Sequence, residues 1–258
     1  MEPDDAERDW TAVFTEVHAS EVPDGVTRVM AKAMGEEFPR QAQPYSWVSQ
    51  TELADIARVV EDTGSRLTDV GCGRGGPGLW VAATTGAHLT GIDIARTGLD
   101  AAAEKAALLG VEAEFAVGSF ADLPLDDAST DVVMSIDAFL FEPDKAAGAR
   151  EVARVLRPGG RLVMTSWDYH TQPVGRPPQV DDHRPLLEAV GLIVERYDDT
   201  HDWERRQRSF QEGLLARADE LAAETGQDVE DFRAGVREMA ATTDCMIRRF
   251  FLVARRDG

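Results

Sequence analysis

Asp69-Val70-Gly71-Cys72-Gly73-Arg74-Gly75-Gly76-Pro77-Gly78 decides the fold. The residues just before it, Arg66–Val70, read as a strand, and Pro77 suits the first turn of a helix. Gly71, Gly73 and Gly76 satisfy G-x-G-x-x-G at that strand-to-helix turn. Glycines let the backbone approach a ligand closely, and the helix N-terminus offers unpaired N–H groups. A second strand, His88–Ile92, leads into Asp93. A carboxylate there can accept hydrogen bonds from ribose hydroxyls. The two features together predict a site for an adenosine-type ligand.

Working outward, strands alternate with helices. Leu99–Leu109 is an Ala-rich helix stopped by Gly110, and Ala113–Val117 and Asp131–Ile136 are further strands. Lys145–Leu156 is a helix ended by Arg157-Pro158-Gly159-Gly160, a turn that feeds the strand Arg161–Ser166. This alternation predicts an α/β, Rossmann-like, doubly wound sheet of seven mostly parallel strands. Arg184–Val190 is a short helix, Leu192–Tyr197 a sixth strand and Ile247–Ala254 a seventh. Between the last two lies a helical stretch, about Trp203 to Thr243, with Phe210, Leu214, Leu215 and Leu221 at helical spacing. Upstream, a turn around Val22-Pro23-Asp24-Gly25 separates two short helices, and a third starts at a Thr51 N-cap and ends near Asp62. The expected organisation is an N-terminal helical lid (1–62), a core (63–200), a helical insert (201–246) and the last strand (247–258).

The charge narrows the partners. Acidic residues number 47 against 27 basic, a net charge of -20. Such a surface repels phosphate backbones and anionic lipid, so neither nucleic acid nor membrane is expected, and a neutral or cationic acceptor is favoured. The opening MEPDDAERDW has no hydrophobic run of the signal-peptide kind, and no stretch has the length of a membrane span, so the expected location is cytoplasmic. Two cysteines, Cys72 and Cys245, make no framework and no metal cluster.

Asp69 decides which adenosine ligand. A carboxylate two residues before the first glycine repels a pyrophosphate and suits a cation. S-adenosylmethionine, with a sulfonium and an ammonium, has the right sign. Residues 66–166 resemble the class I S-adenosylmethionine-dependent methyltransferases, in particular the small-molecule group with quinone-ring and natural-product enzymes. The matching pieces are DVGCGRGGPG, GIDIA, GSFADLPLDDASTDVV and EVARVLRPGGRLVMTSW. The resemblance implies that Gly71, Cys72 and Gly73 approach the methionine portion, with Asp69 holding the loop or the ammonium. It implies that Asp93 grips the ribose, that Ile94 packs on the adenine face, and that Ser119 and Phe120 meet the adenine edge. Many relatives carry Asp at the position of Ser119. It also sets Ile136 and Asp137 beside the reacting methyl, which leaves as S-adenosylhomocysteine forms.

Methyl transfer from a sulfonium is an in-line displacement in which the protein mainly orients. Holding two reactants in line supplies about 7–11 kcal/mol of the barrier. A base is needed only for an acceptor that arrives protonated. Asp137, His170 and Tyr45 are the catalytic candidates. Asp137 reads as a base, as a partner for a cationic acceptor or the cofactor's ammonium, or as a loop-bracing carboxylate. His170 sits just after the fifth strand at an expected pocket rim, with His18 and His201 as weaker candidates; His88 and His183 read as structural. Tyr45-Ser46-Trp47 either closes over the ligands or anchors the lid, and Tyr169 is a second acceptor-positioning tyrosine. The expected activity is methyl transfer to O, N or C of a small molecule, by a monomer or homodimer. The alternatives are an NAD(P)-dependent oxidoreductase, disfavoured by Asp69 and the Leu156-Arg157-Pro158-Gly159-Gly160 piece, a binding protein without turnover, and chemistry of the sulfonium other than methyl transfer.

Overall fold

The computed structural model describes residues 8–19 and 22–258; the acidic opening, residues 1–7, and residues 20–21 lie outside the described residues. Seven strands form one sheet in the order β3-β2-β1-β4-β5-β7-β6. They are β1 (Arg66–Val70), β2 (His88–Asp93), β3 (Ala113–Val117), β4 (Thr130–Ile136), β5 (Leu156–Tyr169), β6 (Leu192–Asp199) and β7 (Met246–Arg256). The first five run parallel; β7 lies antiparallel between β5 and β6. The strand order reverses between β1 and β4. Open α/β sheets bind ligands at such a reversal, outside the carboxyl ends of the strands. The glycine-rich loop leaves β1 at that point.

Ten helices accompany the strands among the described residues: α1 (Trp10–His18), α2 (Asp24–Met34), α3 (Gln50–Thr63), α4 (Gly76–Thr85), α5 (Arg96–Leu109), α6 (Lys145–Val155), α7 (Arg184–Glu188), α8 (Trp203–Ala216), α9 (Ala218–Thr225) and α10 (Val229–Thr243). The cap of α3 is Ser49, not Thr51. Its hydroxyl accepts from the Glu52 N–H at 3.0 Å while Glu52 accepts from the Ser49 N–H at 2.8 Å. Ser at the cap with Glu three residues on satisfies two helix-end donors at once, which Thr51 cannot do. Asp24 and Gly25, expected in a turn, already form the first turn of α2. The Arg157–Gly160 segment runs on as the start of β5, beyond a register shift opposite Thr130 and Val132.

Each face of the sheet has its own core. One gathers Leu53, Leu67, Leu79 and Met134 under α3 and α4; the other gathers Ile92, Val152, Met164 and Phe250 under α6. The stretch from Trp203 to Thr243 is three helices, broken at Arg217 and at Gly226, which caps α9 in the left-handed conformation. They do not stand apart from the N-terminal region. Val29 and Ala33 of α2 pack with Phe210, Leu214, Leu221 and Val236 in one small core. Sequence-distant segments thus form a common helical cap. His183 is structural: Nδ1 lies 2.8 Å from Asp168, which also accepts from Tyr197 and Arg248.

Candidate active site

At the end of β1, Asp69 is 2% exposed and its carboxylate has no hydrogen-bond partner in the protein among the described residues. Burial, reinforced by the neighbouring Asp93, pushes its pKa up to about 7. Residue 78 is glycine because a Cβ there would sit 2.5 Å from Asp69 Oδ2. Gly71 turns the chain with φ +77°, and its N–H donates to the Ile92 carbonyl at 2.8 Å. A side chain at 71 would meet Ala138 at 2.3 Å.

Asp93 ends β2. Its Oδ2 accepts from the Gly73 N–H at 2.8 Å and its Oδ1 from the Ala95 N–H at 2.9 Å. Each oxygen keeps a second lone pair, so the carboxylate can take ribose hydroxyls while bracing the loop. Ile94, Ser119, Phe120 and Ile136 line the same cavity as Asp69 and Gly71. Cys72 lines it too, with burial raising its thiol well above the usual range. Ser119 also pairs with Asp122 in a short antiparallel bridge, backbone to backbone.

The catalytic candidates fare differently. Asp137 lies on the cavity wall with φ +53°. Its carboxylate accepts from the Trp47 N–H (2.7 Å), Thr165 Oγ1 (2.8 Å) and both-sidedly from Arg249 Nη2 (3.1 and 3.3 Å). Of its open readings, the geometry fits the loop-bracing one: a carboxylate so engaged has no lone pair directed at a substrate proton. His170 does not reach the cavity. It is exposed, with its ring nitrogens against Thr171 Oγ1 and the Asp244 carbonyl. The chain turns outward at that point because Tyr169, the preceding residue, takes the inward side of the strand. Tyr45 lines the cavity while 60% exposed, at the mouth. His201 is exposed away from it.

Sequence reasoning missed Arg249 and underrated His18. Arg249 is 1% exposed on β7 and donates to Glu52 at 2.6 Å as well as to Asp137. The signal available was an arginine inside an otherwise apolar strand. His18, 6% exposed, lies against the glycine loop, where a Cβ at 73 would come within 3.0 Å of its ring. Desolvation lowers its pKa, against the pull of Asp93. Arg74 donates to the His18 carbonyl at 2.9 Å, tying α1 down over the loop.

The cavity measures about 2500 Å³. Ligand pockets commonly hold about 300–1,000 Å³, so an adenosine ligand leaves ample room for a second molecule. The remainder is walled by Trp10 and Phe14 of α1, Phe141, Trp167, and the cap residues Phe210 and Phe232.

The fold and the glycine loop are similar to those of class I S-adenosylmethionine-dependent methyltransferases. The family described as "Methyltransferase domain" matches residues 68–164. Methyltransferase GfsG of Streptomyces halstedii is 38% identical over 42% of this chain and 39% of its own length. The 27-O-demethylrifamycin SV methyltransferase of Amycolatopsis mediterranei is 34% identical over 51% of this chain and 49% of its own. The chain thus spans half or less of the length of these relatives. Among solved structures, the [4+2]-cyclase SpnF superposes with a TM-score of 0.71 at 24% identity over 96% of both chains. A Haemonchus contortus phosphoethanolamine N-methyltransferase 2 in complex with S-adenosyl-L-methionine superposes with a TM-score of 0.73 at 18% identity, over 98% of this chain and 61% of its own. Both show a shared fold.

Proposed function

We propose that the protein transfers a methyl group from S-adenosylmethionine to an O, N or C atom of a small, largely apolar molecule held under the helical cap. The observation that carries this is Asp69, a buried carboxylate without a protein partner beside the glycine loop. A buried charge needs a counter-charge, and here the missing cation is supplied by a ligand's ammonium. S-adenosylmethionine bound at this place supplies a methyl group already activated by a cationic sulfur.

The chain's own task is then to orient and to exclude water. Asp93 and the 71–73 backbone hold the nucleoside end, with Ile94, Ser119 and Phe120 along the base. Asp137 is a positioning residue: with Arg249 it fixes the turn after β4 and the Trp47 backbone of the lid. The aromatic wall from α1 and Phe141 sets the acceptor's approach, which matters because orientation is the larger part of catalysis in an in-line displacement. Among the described residues the cavity-wall carboxylate of Asp137 is taken up by Trp47, Thr165 and Arg249, so acceptors that arrive with an available lone pair or that ionise readily fit best. No helix among the described residues is long and apolar enough to cross a membrane. Our reading keeps the protein in the cytoplasm as a monomer or homodimer.

Calorimetric titration with S-adenosylhomocysteine and NAD, in the wild type and Asp69→Asn, tests the proposal. Homocysteine-adduct binding that is lost in the variant supports it, and subsequent mass-spectrometric screening for methylated acceptors completes it. Binding of NAD alone would return the loop to the dinucleotide class.

A further inference from the structure

Two side chains lining the cavity, Tyr169 and Arg176, keep buried polar atoms without a hydrogen-bond partner. The Tyr169 hydroxyl is buried, on a side chain 3% exposed, and makes no hydrogen bond. The side chain of Arg176, half-buried in the loop after β5, makes no hydrogen bond or ion pair among the described residues, and its Nε is buried without an acceptor. Its guanidinium carbon lies 5.2 Å from the Trp10 ring centroid and 5.3 Å from that of Phe141. Two aromatic rings therefore flank the guanidinium. The nearby Arg8 pairs with Glu238 at 3.3 Å; Glu238 acts on Arg176 only through space, and Arg8 opposes it.

The Arg176 Nε–H and the Tyr169 hydroxyl, buried donors without an acceptor, carry a desolvation cost unless an acceptor group arrives. An arginine held beside aromatic rings keeps its donor fork open for a planar carboxylate, which it takes at two points. Tyr169 adds a third donor from the strand side. We infer that Arg176 and Tyr169 anchor a carboxylate carried by the apolar acceptor. This rests on the reading that the cavity beside the nucleoside site takes the acceptor. The sequence-level expectation of a neutral or cationic acceptor came from the net charge of -20; that charge acts at the surface, through screening solvent, whereas this pair acts inside the walls where screening is weak.

The test uses the full chain saturated with S-adenosylhomocysteine and three matched probes: 1-naphthaleneacetate, 1-naphthaleneethanol and 1-naphthaleneethylamine. By calorimetry the carboxylate binds about tenfold or more tighter than the alcohol, a difference of about 1.4 kcal/mol, and the amine binds weakest. Arg176→Gln removes the carboxylate's advantage and leaves the alcohol within about twofold. Tyr169→Phe, which keeps the packing, weakens the carboxylate about fivefold and leaves the alcohol unmoved. Equal binding of acid and alcohol, no binding of either, or an acid preference that survives both substitutions overturns the inference. The series is repeated without S-adenosylhomocysteine, and affinity for that molecule is recorded separately. Loss of the cofactor reading and loss of the anchor are therefore distinguishable.

Discussion

Arg249 Nη2 lies 3.1 Å from Asp137 Oδ1, in a position where both side chains are buried. The last strand of the sheet thereby holds the turn that follows β4, and through Glu52 it also holds the start of α3. A buried ion pair contributes little net stability as a pair, but removing one member strands the other.

Asp137→Asn therefore lowers stability by about 3 kcal/mol, and Arg249→Met, which leaves two carboxylates unpaired, lowers it by at least as much. Urea unfolding measures both. The triple change Glu52→Gln, Asp137→Asn, Arg249→Met recovers most of the loss, because no buried charge is left alone. If Asp137 were a base rather than a brace, Asp137→Asn would abolish turnover at unchanged stability.

Asp69 predicts a pH dependence of definite sign. Its folded-state pKa, about 7, lies above that of an unfolded aspartate. The folded protein then binds the extra proton between about pH 4 and pH 7, and stability without ligand falls as pH rises through that window. A cationic ligand reverses the trend, since it favours the ionised carboxylate. S-adenosylhomocysteine binding strengthens from pH 6 to pH 8 with proton release, read from titrations in buffers of different ionisation enthalpy. In Asp69→Asn both effects vanish.

Gly71 has φ +77° and Ala138 directly beside its open side. Gly71→Ala meets backbone strain of about 1–2 kcal/mol together with that collision. Thermal unfolding drops and S-adenosylhomocysteine affinity falls by about tenfold or more, while a far-UV spectrum stays that of an α/β protein.

His170→Ala supplies the contrasting case. The ring is exposed and outside the cavity, and surface changes of this kind shift stability by about 0.5 kcal/mol or less. Cofactor affinity and turnover on any acceptor found stay within about twofold of the wild type. A larger loss would bring the segment after β5 back into the chemistry.

Asp131 governs acid stability. Burial raises its pKa, but hydrogen bonds from Arg66 and Arg157 outweigh that and hold the carboxyl at about 2. Its contribution is present above about pH 4 and is lost as pH falls toward 2. Asp131→Asn flattens the acid limb of the unfolding profile and lowers stability at neutral pH.

The seven strands, their order of appearance and the glycine loop were legible in the chain because they depend on local signals. Apolar runs, turn residues and a strand-to-helix glycine pattern act over a few residues each. Asp69 and Asp93 were legible for the same reason: each lies at the carboxyl end of a recognisable strand. What Asp137, His170 and Arg176 do was not. Asp137 sits one residue past a strand end, the place where a catalytic carboxylate is sought, yet its lone pairs are taken by Trp47, Thr165 and Arg249 from three distant segments. His170 and Tyr169 are neighbours in sequence, and strand alternation sends one outward and the other inward. A lid at the N-terminus and an insert near the C-terminus read as separate units, but Val29 and Phe210 share one core. By itself, then, the sequence determined the sheet and placed the glycine loop between Asp69 and Asp93, all carried by short-range pattern. Only the tertiary structure decided which polar groups are satisfied and which are left for a ligand, because a hydrogen bond is spent or free according to contacts between residues far apart in the chain.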